Sequence, residues 1–112
     1  MMHDSPKRAV RCVRLATEDA PALSSLESRC FALPWTEQAF AEAFAGKTFH
    51  AFGIRETASP LSPRELAGYI AVYHTPDEVE ILNIAVREDR RRHGYGLLLM
   101  ATALQDAKET GI

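Results

Sequence analysis

Over residues 9–15 the apolar side chains Val10, Cys12, Val13 and Leu15 are interleaved with Arg11 and Arg14, which predicts a first strand. Thr17 then offers a hydroxyl to cap a helix whose first turn holds Glu18 and Asp19, where the helix dipole favours carboxylates. Leu23, Leu26 and Cys30 recur at helical spacing and carry that helix to about residue 30. Phe31-Ala32-Leu33-Pro34-Trp35 interrupts it, because proline removes a donor and disfavours helix at the residue before it. Thr36 is placed to cap a second helix with Phe40 and Phe44 on one face, and Gly46 to end it in a left-handed conformation. Strand-like segments follow at 48–54, 66–73 and 79–86. A turn-rich stretch over 55–64, with Ser59-Pro60 and Ser62-Pro63, separates the first two, and Thr75-Pro76-Asp77 separates the last two. Their closeness in sequence predicts an antiparallel meander. A last helix starts near Gly94, with Leu97, Met100, Ala101, Leu104 and Ala107 as its core-facing stripe, Lys108 in its final turn and Gly111 as its C-cap. Residues 1–8 are polar and predicted to be disordered, so one domain is expected over 9–112.

The segment 83–97 holds the strongest chemical signal. It runs from a strand through a basic loop into glycines that open a helix. The first N–H groups of a helix have no intrahelical acceptor, and the helix dipole adds positive charge, so this order makes an anion site. Gly94 and Gly96 let a phosphate approach the backbone, and Arg91, Arg92 and His93 surround it. The loop is no Walker sequence, since no Gly-Lys-Ser/Thr is present, and it holds only one G-x-G, short of a dinucleotide fingerprint.

Composition narrows the partners. A net charge of -2 gives no general attraction to nucleic acid or to an anionic membrane, and Glu88 and Asp89 dilute the arginine cluster. There is no apolar run of membrane-spanning length and no secretory core near the start, so a cytoplasmic location is expected. Cys12 and Cys30 form no CxxC pair, and their spacing with His3, His50, His74 and His93 fits no metal site. Both are read as plain thiols, no metal is expected, and neither is a candidate acyl-enzyme nucleophile, Cys30 being far in sequence from the loop.

Arg-x-x-Gly-x-Gly over 91–96, after the strand Asn83-Ile84-Ala85-Val86, resembles the pyrophosphate loop of the GNAT superfamily of N-acetyltransferases. Phe31-Ala32-Leu33-Pro34-Trp35-Thr36-Glu37 is similar to the hydrophobic-Pro-Trp-Ser/Thr-Glu element of that superfamily, and 78–111 resembles its RimI branch. RimI-branch members acetylate the N-terminal amine of a ribosomal protein. The resemblance implies the N-terminal portion of the GNAT fold, an α/β (α+β) domain with a mixed, mostly antiparallel sheet flanked by helices. It implies acetyl-CoA as co-substrate, with its pantetheine arm on the backbone of Ile84, Ala85 and Val86. The diphosphate would lie on Arg92, His93, Gly94, Tyr95, Gly96 and Leu97 with Arg91 alongside. Pro34 and Trp35 would line the side of the acceptor, expected to be a protein N-terminus such as a ribosomal-protein alanine.

The branch places its catalytic base and acid beyond residue 112, so the chain is expected to lack its C-terminal strands, and no residue here takes those two roles. Glu80 on the 79–86 strand is the substitute base candidate, with Glu78 beside it, and Tyr69 and Tyr73 are the candidate acids. The alternative reading is a non-catalytic acyl-CoA-binding module or inactive fragment. With no following strand, the edge of 79–86 is a surface for self-association. Asn83 is assigned no chemistry.

Overall fold

The computed structural model describes residues 9–57 and 59–110, so the expectations for residues 1–8 and for Gly111 lie outside the described residues. Four strands, β1 (Ala9–Arg14), β2 (Phe49–Thr57), β3 (Gly68–His74) and β4 (Val79–Val86), form one sheet in the order β1-β2-β3-β4. Every described pairing is antiparallel; the meander of β2, β3 and β4 is the one their short connections predict, while β1 pairs with β2 across the two intervening helices. α1 (Ala20–Cys30) and α2 (Glu37–Ala45) lie between β1 and β2, and α3 (Tyr95–Glu109) follows β4.

Period-two alternation splits the strand side chains between two cores. On one face Leu15, Phe49, Ala51, Tyr69, Ala71 and Ala85 meet Leu23 and Leu26 of α1 and Phe40 of α2. On the other, Phe52, Ile54, Ile70 and Val72 meet Tyr95, Leu99 and Ala103 of α3. β3 is buried on both faces over its first five residues, which makes it the centre of the domain.

β4 departs from strict alternation once. Asn83 pairs with Ala71 and Ile81 with Val72, so Leu82 is an extra residue in the ladder. The bulge has a chemical consequence. Leu82 joins Asn83 on the α1–α2 face, and Glu80, opposite Tyr73, is carried onto that face as well. Without the extra residue Glu80 would face α3.

Several local expectations are corrected. Thr17 does not cap a helix: 17–19 is a 3-10 turn, and the Asp19 carboxylate accepts from the Ala16 N–H at 2.9 Å instead. Pro21 then sits in the first turn of α1, where its missing N–H costs nothing. Thr36 does cap α2, its hydroxyl accepting from the Ala39 N–H at 3.0 Å. Gly46 ends α2 at φ -81° and ψ 158°, extended rather than left-handed, because the chain turns directly toward β2. β2 continues through Thr57, pairing its last residue with Ala9, so the connection starts later than residue 55.

The largest correction concerns α3. Leu97 is 76% exposed and Leu104 52% exposed, and Ala101 is also exposed. The buried stripe is Tyr95, Leu99, Ala103 and Ala107, each four residues from the next. Both stripes have helical periodicity, and what selects between them is the anchoring of Tyr95 described below. Leu99 is fully buried between α3 and the sheet. Leu99→Ala is therefore expected to cost about 2–5 kcal/mol and lower the melting temperature by roughly 10 °C or more. Leu104→Ala, on the outer face, should change it little. Equal effects in thermal melts of the two variants would contradict this face assignment.

Candidate functional site: a basic loop at the end of β4

β4 ends at Val86, a 3-10 turn spans Glu88–Arg90, and α3 starts after Gly94. The loop is fastened from beneath. Arg90 is buried, and its Nε donates to both oxygens of Glu56 on β2, at 3.1 and 2.9 Å. The Tyr95 hydroxyl donates to the same carboxylate, and the Ser59 hydroxyl does so at 2.6 Å. Burial pushes the Glu56 carboxyl up, but hydrogen bonds from Arg90, Ser59 and Tyr95 outweigh it and hold the group down at about 2. At the start of the loop Arg87 grips Asp89 at 2.9 and 3.0 Å, and Arg29 of α1 pairs with Glu88.

With both ends held, the middle of the loop turns outward. Arg91, Arg92 and His93 are exposed. Arg92 stands at φ 68°, a left-handed conformation that costs a non-glycine residue about 1–2 kcal/mol. Gly94 stands at φ 79°, and a Cβ built on Gly94 or Gly96 would meet no atom within 4 Å. The backbone at the start of α3 therefore faces open space with no side chain in the way. Ile84, Ala85, Val86, Arg91, Arg92, Gly94, Tyr95 and Gly96 line one cleft of about 500 Å³, together with Phe31, Arg90 and Cys30. Three predicted loop residues behave differently from their neighbours, of which His93 is exposed outside the cleft lining. The Tyr95 side chain is buried on Glu56, so it offers a ligand only its backbone. Leu97 is exposed just beyond the cleft lining.

Cys30 is in the cleft despite its distance in sequence, because α1 ends against the end of β4. Its thiol donates to the Val86 carbonyl at 3.6 Å, and Arg91 Nε donates to the same oxygen at 3.3 Å. Burial pushes the Cys30 thiol up, although Arg91 opposes the shift. Little thiolate is then present near neutral pH, and the residue remains a poor nucleophile.

The structure also assembles a group that the sequence reading passed over. Glu27 of α1 is 1% exposed, and its carboxylate receives three donors. The Trp35 N–H reaches Oε1 at 2.9 Å; Asn83 Nδ2, at 2.9 Å, and the Tyr69 hydroxyl reach Oε2. Burial, then the adjacent Glu27, push the Tyr69 hydroxyl far above the ordinary tyrosine range. One signal was available: Glu27 falls within the apolar stripe of Leu23, Leu26 and Cys30, where an ionisable side chain must find partners.

Glu80 is not in the loop cleft. It is exposed and lines a separate cleft of about 370 Å³ with Glu42, Glu78, Phe49 and Tyr73. Trp35 is partly exposed and rests on Phe40 and Phe49, with ring centroids at 5.2 and 6.3 Å. Among the described residues no three metal-ligating side chains converge, and no helix is long and apolar enough to cross a membrane.

An antiparallel sheet with helices on both faces, whose fourth strand runs through a glycine-opened basic loop into a helix, defines a recognisable class. The chain belongs to the acetyltransferase (GNAT) family, which matches residues 20–112. Among its relatives, the [ribosomal protein bS18]-alanine N-acetyltransferase of Escherichia coli K12 is 29% identical over 98 residues. That alignment covers 88% of this chain and 62% of the relative. A putative enzyme of the same name from Bacillus subtilis is 29% identical over 103 residues, 92% of this chain and 64% of that protein. The chain thus spans about three fifths of the length of these relatives. The crystal structure of the Escherichia coli ribosomal-protein-S18-alanine N-acetyltransferase superposes with a TM-score of 0.77 at 27% identity, over 93% of this chain and 63% of that one. NAA60 of Arabidopsis thaliana, solved in complex with acetyl-CoA, shares the fold with a TM-score of 0.72 at 15% identity, over 92% of this chain and 69% of that one.

The anchoring of the loop yields a stability test. Glu56→Gln leaves Arg90 without its buried counter-charge and is expected to cost about 3–5 kcal/mol. The Glu56 carboxyl is lowered on folding from an ordinary 4.5 to about 2. Its contribution is therefore complete above about pH 4.5 and is lost as pH falls toward 2. Thermal melts across that window should fall more steeply for the native chain than for Glu56→Gln. Parallel curves would contradict the role assigned to Glu56.

Proposed function

We propose that this chain forms the co-substrate half of an acetyl-CoA-dependent N-acetyltransferase that acts on a protein N-terminal amine. One observation carries the reading. The backbone at Gly94 and Gly96 opens onto a cleft continuous with Ile84, Ala85 and Val86, flanked by arginines and clear of any side chain. The residues present fit a diphosphate joined to an amide-containing arm. First-turn amides of α3 and the guanidinium groups of Arg91 and Arg92 match the phosphates. The free edge of β4 matches the arm, which would pair as an added strand.

Bound acetyl-CoA would supply a thioester, an activated acyl group for an incoming amine. The chain's own part is to hold that group along β4 and to present the acceptor from the side of Pro34 and Trp35. The relatives named for bS18-alanine acetylation support an N-terminal alanine of a ribosomal protein as the acceptor; a cytoplasmic setting is part of the same proposal. Acyl transfer to an amine needs a proton removed from the amine and one delivered to the departing thiolate. Tyr69 is a poor source, because its hydroxyl is committed to Glu27. Glu80 would have to act from its separate cleft, through water.

That last placement favours a second reading, an acyl-CoA-binding module without turnover. Calorimetric titration with acetyl-CoA, followed by a thiol-release assay with an alanine-initiated peptide, separates the two. Binding with turnover supports the transferase and makes Glu80→Gln the next variant. Binding alone supports the module.

Gly94→Glu tests the site itself. It puts a negative charge where phosphates would lie and is expected to abolish acetyl-CoA binding. Because a side chain at φ 79° is strained, Gly94→Asn serves as the control, since asparagine tolerates that conformation. It should keep the fold and lose only part of the affinity. Native affinity in Gly94→Glu would overturn the assignment.

A further inference from the structure

Glu27, Asn83 and Trp35 stand on three different elements, and one chain of hydrogen bonds joins them. The Arg87 N–H pairs with the Ala67 carbonyl on the β3 side. Backbone groups alternate along a strand, so Ile84 and Val86 direct theirs to the open edge of β4. The Ile84 N–H is met there by Asn83 Oδ1 at 3.0 Å. The other end of the same amide, Nδ2, donates to Glu27 Oε2, and Glu27 Oε1 accepts the Trp35 N–H. Asn83 pairs with Ala71 in phase with Ala85, so regular alternation puts its side chain on the α1 side, and its amide reaches both Glu27 and the Ile84 N–H.

We infer that Glu27 is a positioning residue that ties the Trp35 loop to the open edge of β4 through Asn83. The inference rests on the reading above, in which the β4 edge receives the co-substrate and the Trp35 side receives the acceptor. A ligand amide that pairs with the Ile84 N–H must displace Asn83 Oδ1. The Asn83 amide is then released at one end, and the donor set around Glu27 changes with it. Occupation of the co-substrate edge is in this way felt at the backbone of Trp35, more than one element away. A carboxylate is required at position 27 because all three of its partners are donors, and only an ionised group accepts on both oxygens. Glutamine, of the same shape, would face the Asn83 NH₂ with its own. Turning the Asn83 amide over to relieve that conflict would present NH₂ to the Ile84 N–H.

The test is residue-resolved amide exchange by NMR on the purified chain, in its native form and as Glu27→Gln, Asn83→Ala and the double variant, with the sole tryptophan, Trp35, as a fluorescent reporter. Without ligand, Glu27→Gln is expected to speed exchange at Ile84, which it does not touch, and Asn83→Ala to speed it at Trp35. Each change should be roughly fivefold or more, the factor set by one lost hydrogen bond of ordinary strength. The double variant should exchange no faster than the worse single one, since both act on one network. Additive effects, or native exchange rates at the far end of each variant, would overturn the coupling. If Glu27→Gln fails to fold, Asn83→Ala and its effect at Trp35 decide the matter.

Acetyl-CoA gives a second arm. It should change Trp35 emission in the native chain, while Asn83→Ala binds it within a few-fold by calorimetry and shows no such change. An undiminished fluorescence response in Asn83→Ala overturns the inference. Failure of the native chain to bind acetyl-CoA overturns the co-substrate reading instead, and the exchange cycle still decides whether Glu27 couples the two segments.

Discussion

The buried contact between Glu56 and Arg90 is the constraint on which the candidate site depends. An exposed arginine-rich loop would ordinarily sample many conformations, since its charges repel and its side chains are well solvated. Here Arg90, the first of the Arg90–Arg92 run, turns inward and is held by both oxygens of Glu56. Tyr95 binds the same carboxylate from the first residue of α3. The loop is thus tied to β2 at the end of its 3-10 turn and again where the helix begins. The residues between these two ties are left facing outward, and the backbone adopts positive φ at Arg92 and Gly94 to close the turn. Such a pair adds little net stability over an apolar alternative. What it supplies is position: the start of α3 is set against β2 while Arg91 and Arg92 remain available to an anion.

The second organising feature is the extra residue in β4. A regular strand would alternate its side chains between α3 and the α1–α2 pair along its whole length. Asn83, in the regular part of the ladder, reaches Glu27, and the bulge at Leu82 moves Glu80 onto the same α1–α2 face. The two clefts along this strand therefore differ in chemistry. The one at its C-terminal end is basic and lies against backbone, whereas the one at its N-terminal end is acidic and walled by Phe49 and Tyr73. Under the proposed function the basic end would take the phosphates of the co-substrate, and the acidic end would suit an acceptor bearing a positive amine. The chain belongs to the acetyltransferase family and is similar to bS18-alanine N-acetyltransferases over about three fifths of their length.

Much of this was legible in the residues. The boundaries of β4, the Thr36 cap, the meander and the glycine-opened loop all follow from short-range rules of alternation, capping and backbone freedom. Those rules act within a few residues and so leave their mark in the local pattern. The family resemblance was legible for the same reason, because every residue of Arg-x-x-Gly-x-Gly belongs to one continuous segment. The errors were of a different kind. Leu97, Ala101 and Leu104 have the same helical period as Tyr95, Leu99 and Ala103, and the period alone does not say which face turns inward. Thr17 and Asp19 both offer an oxygen to cap the turn after β1, and the geometry of the 3-10 turn selected Asp19.

By itself the sequence determined the order of elements, the acetyltransferase resemblance and the place of the glycine-opened basic loop, since each depends on neighbours along the chain. Only the tertiary structure decided which charged residues are inside. Glu27, Glu56 and Arg90 look like ordinary solvated residues in one dimension. Their burial depends on partners 34 to 56 positions away, Arg90 with Glu56 and Glu27 with Asn83. It also decided that Cys30 lines the cleft and that Glu80 does not, because α1 ends against the end of β4 while Glu80 stands at the opposite end of that strand. A buried ionic group is tolerated only where folding brings its partner to it, and that pairing is a property of the assembled fold.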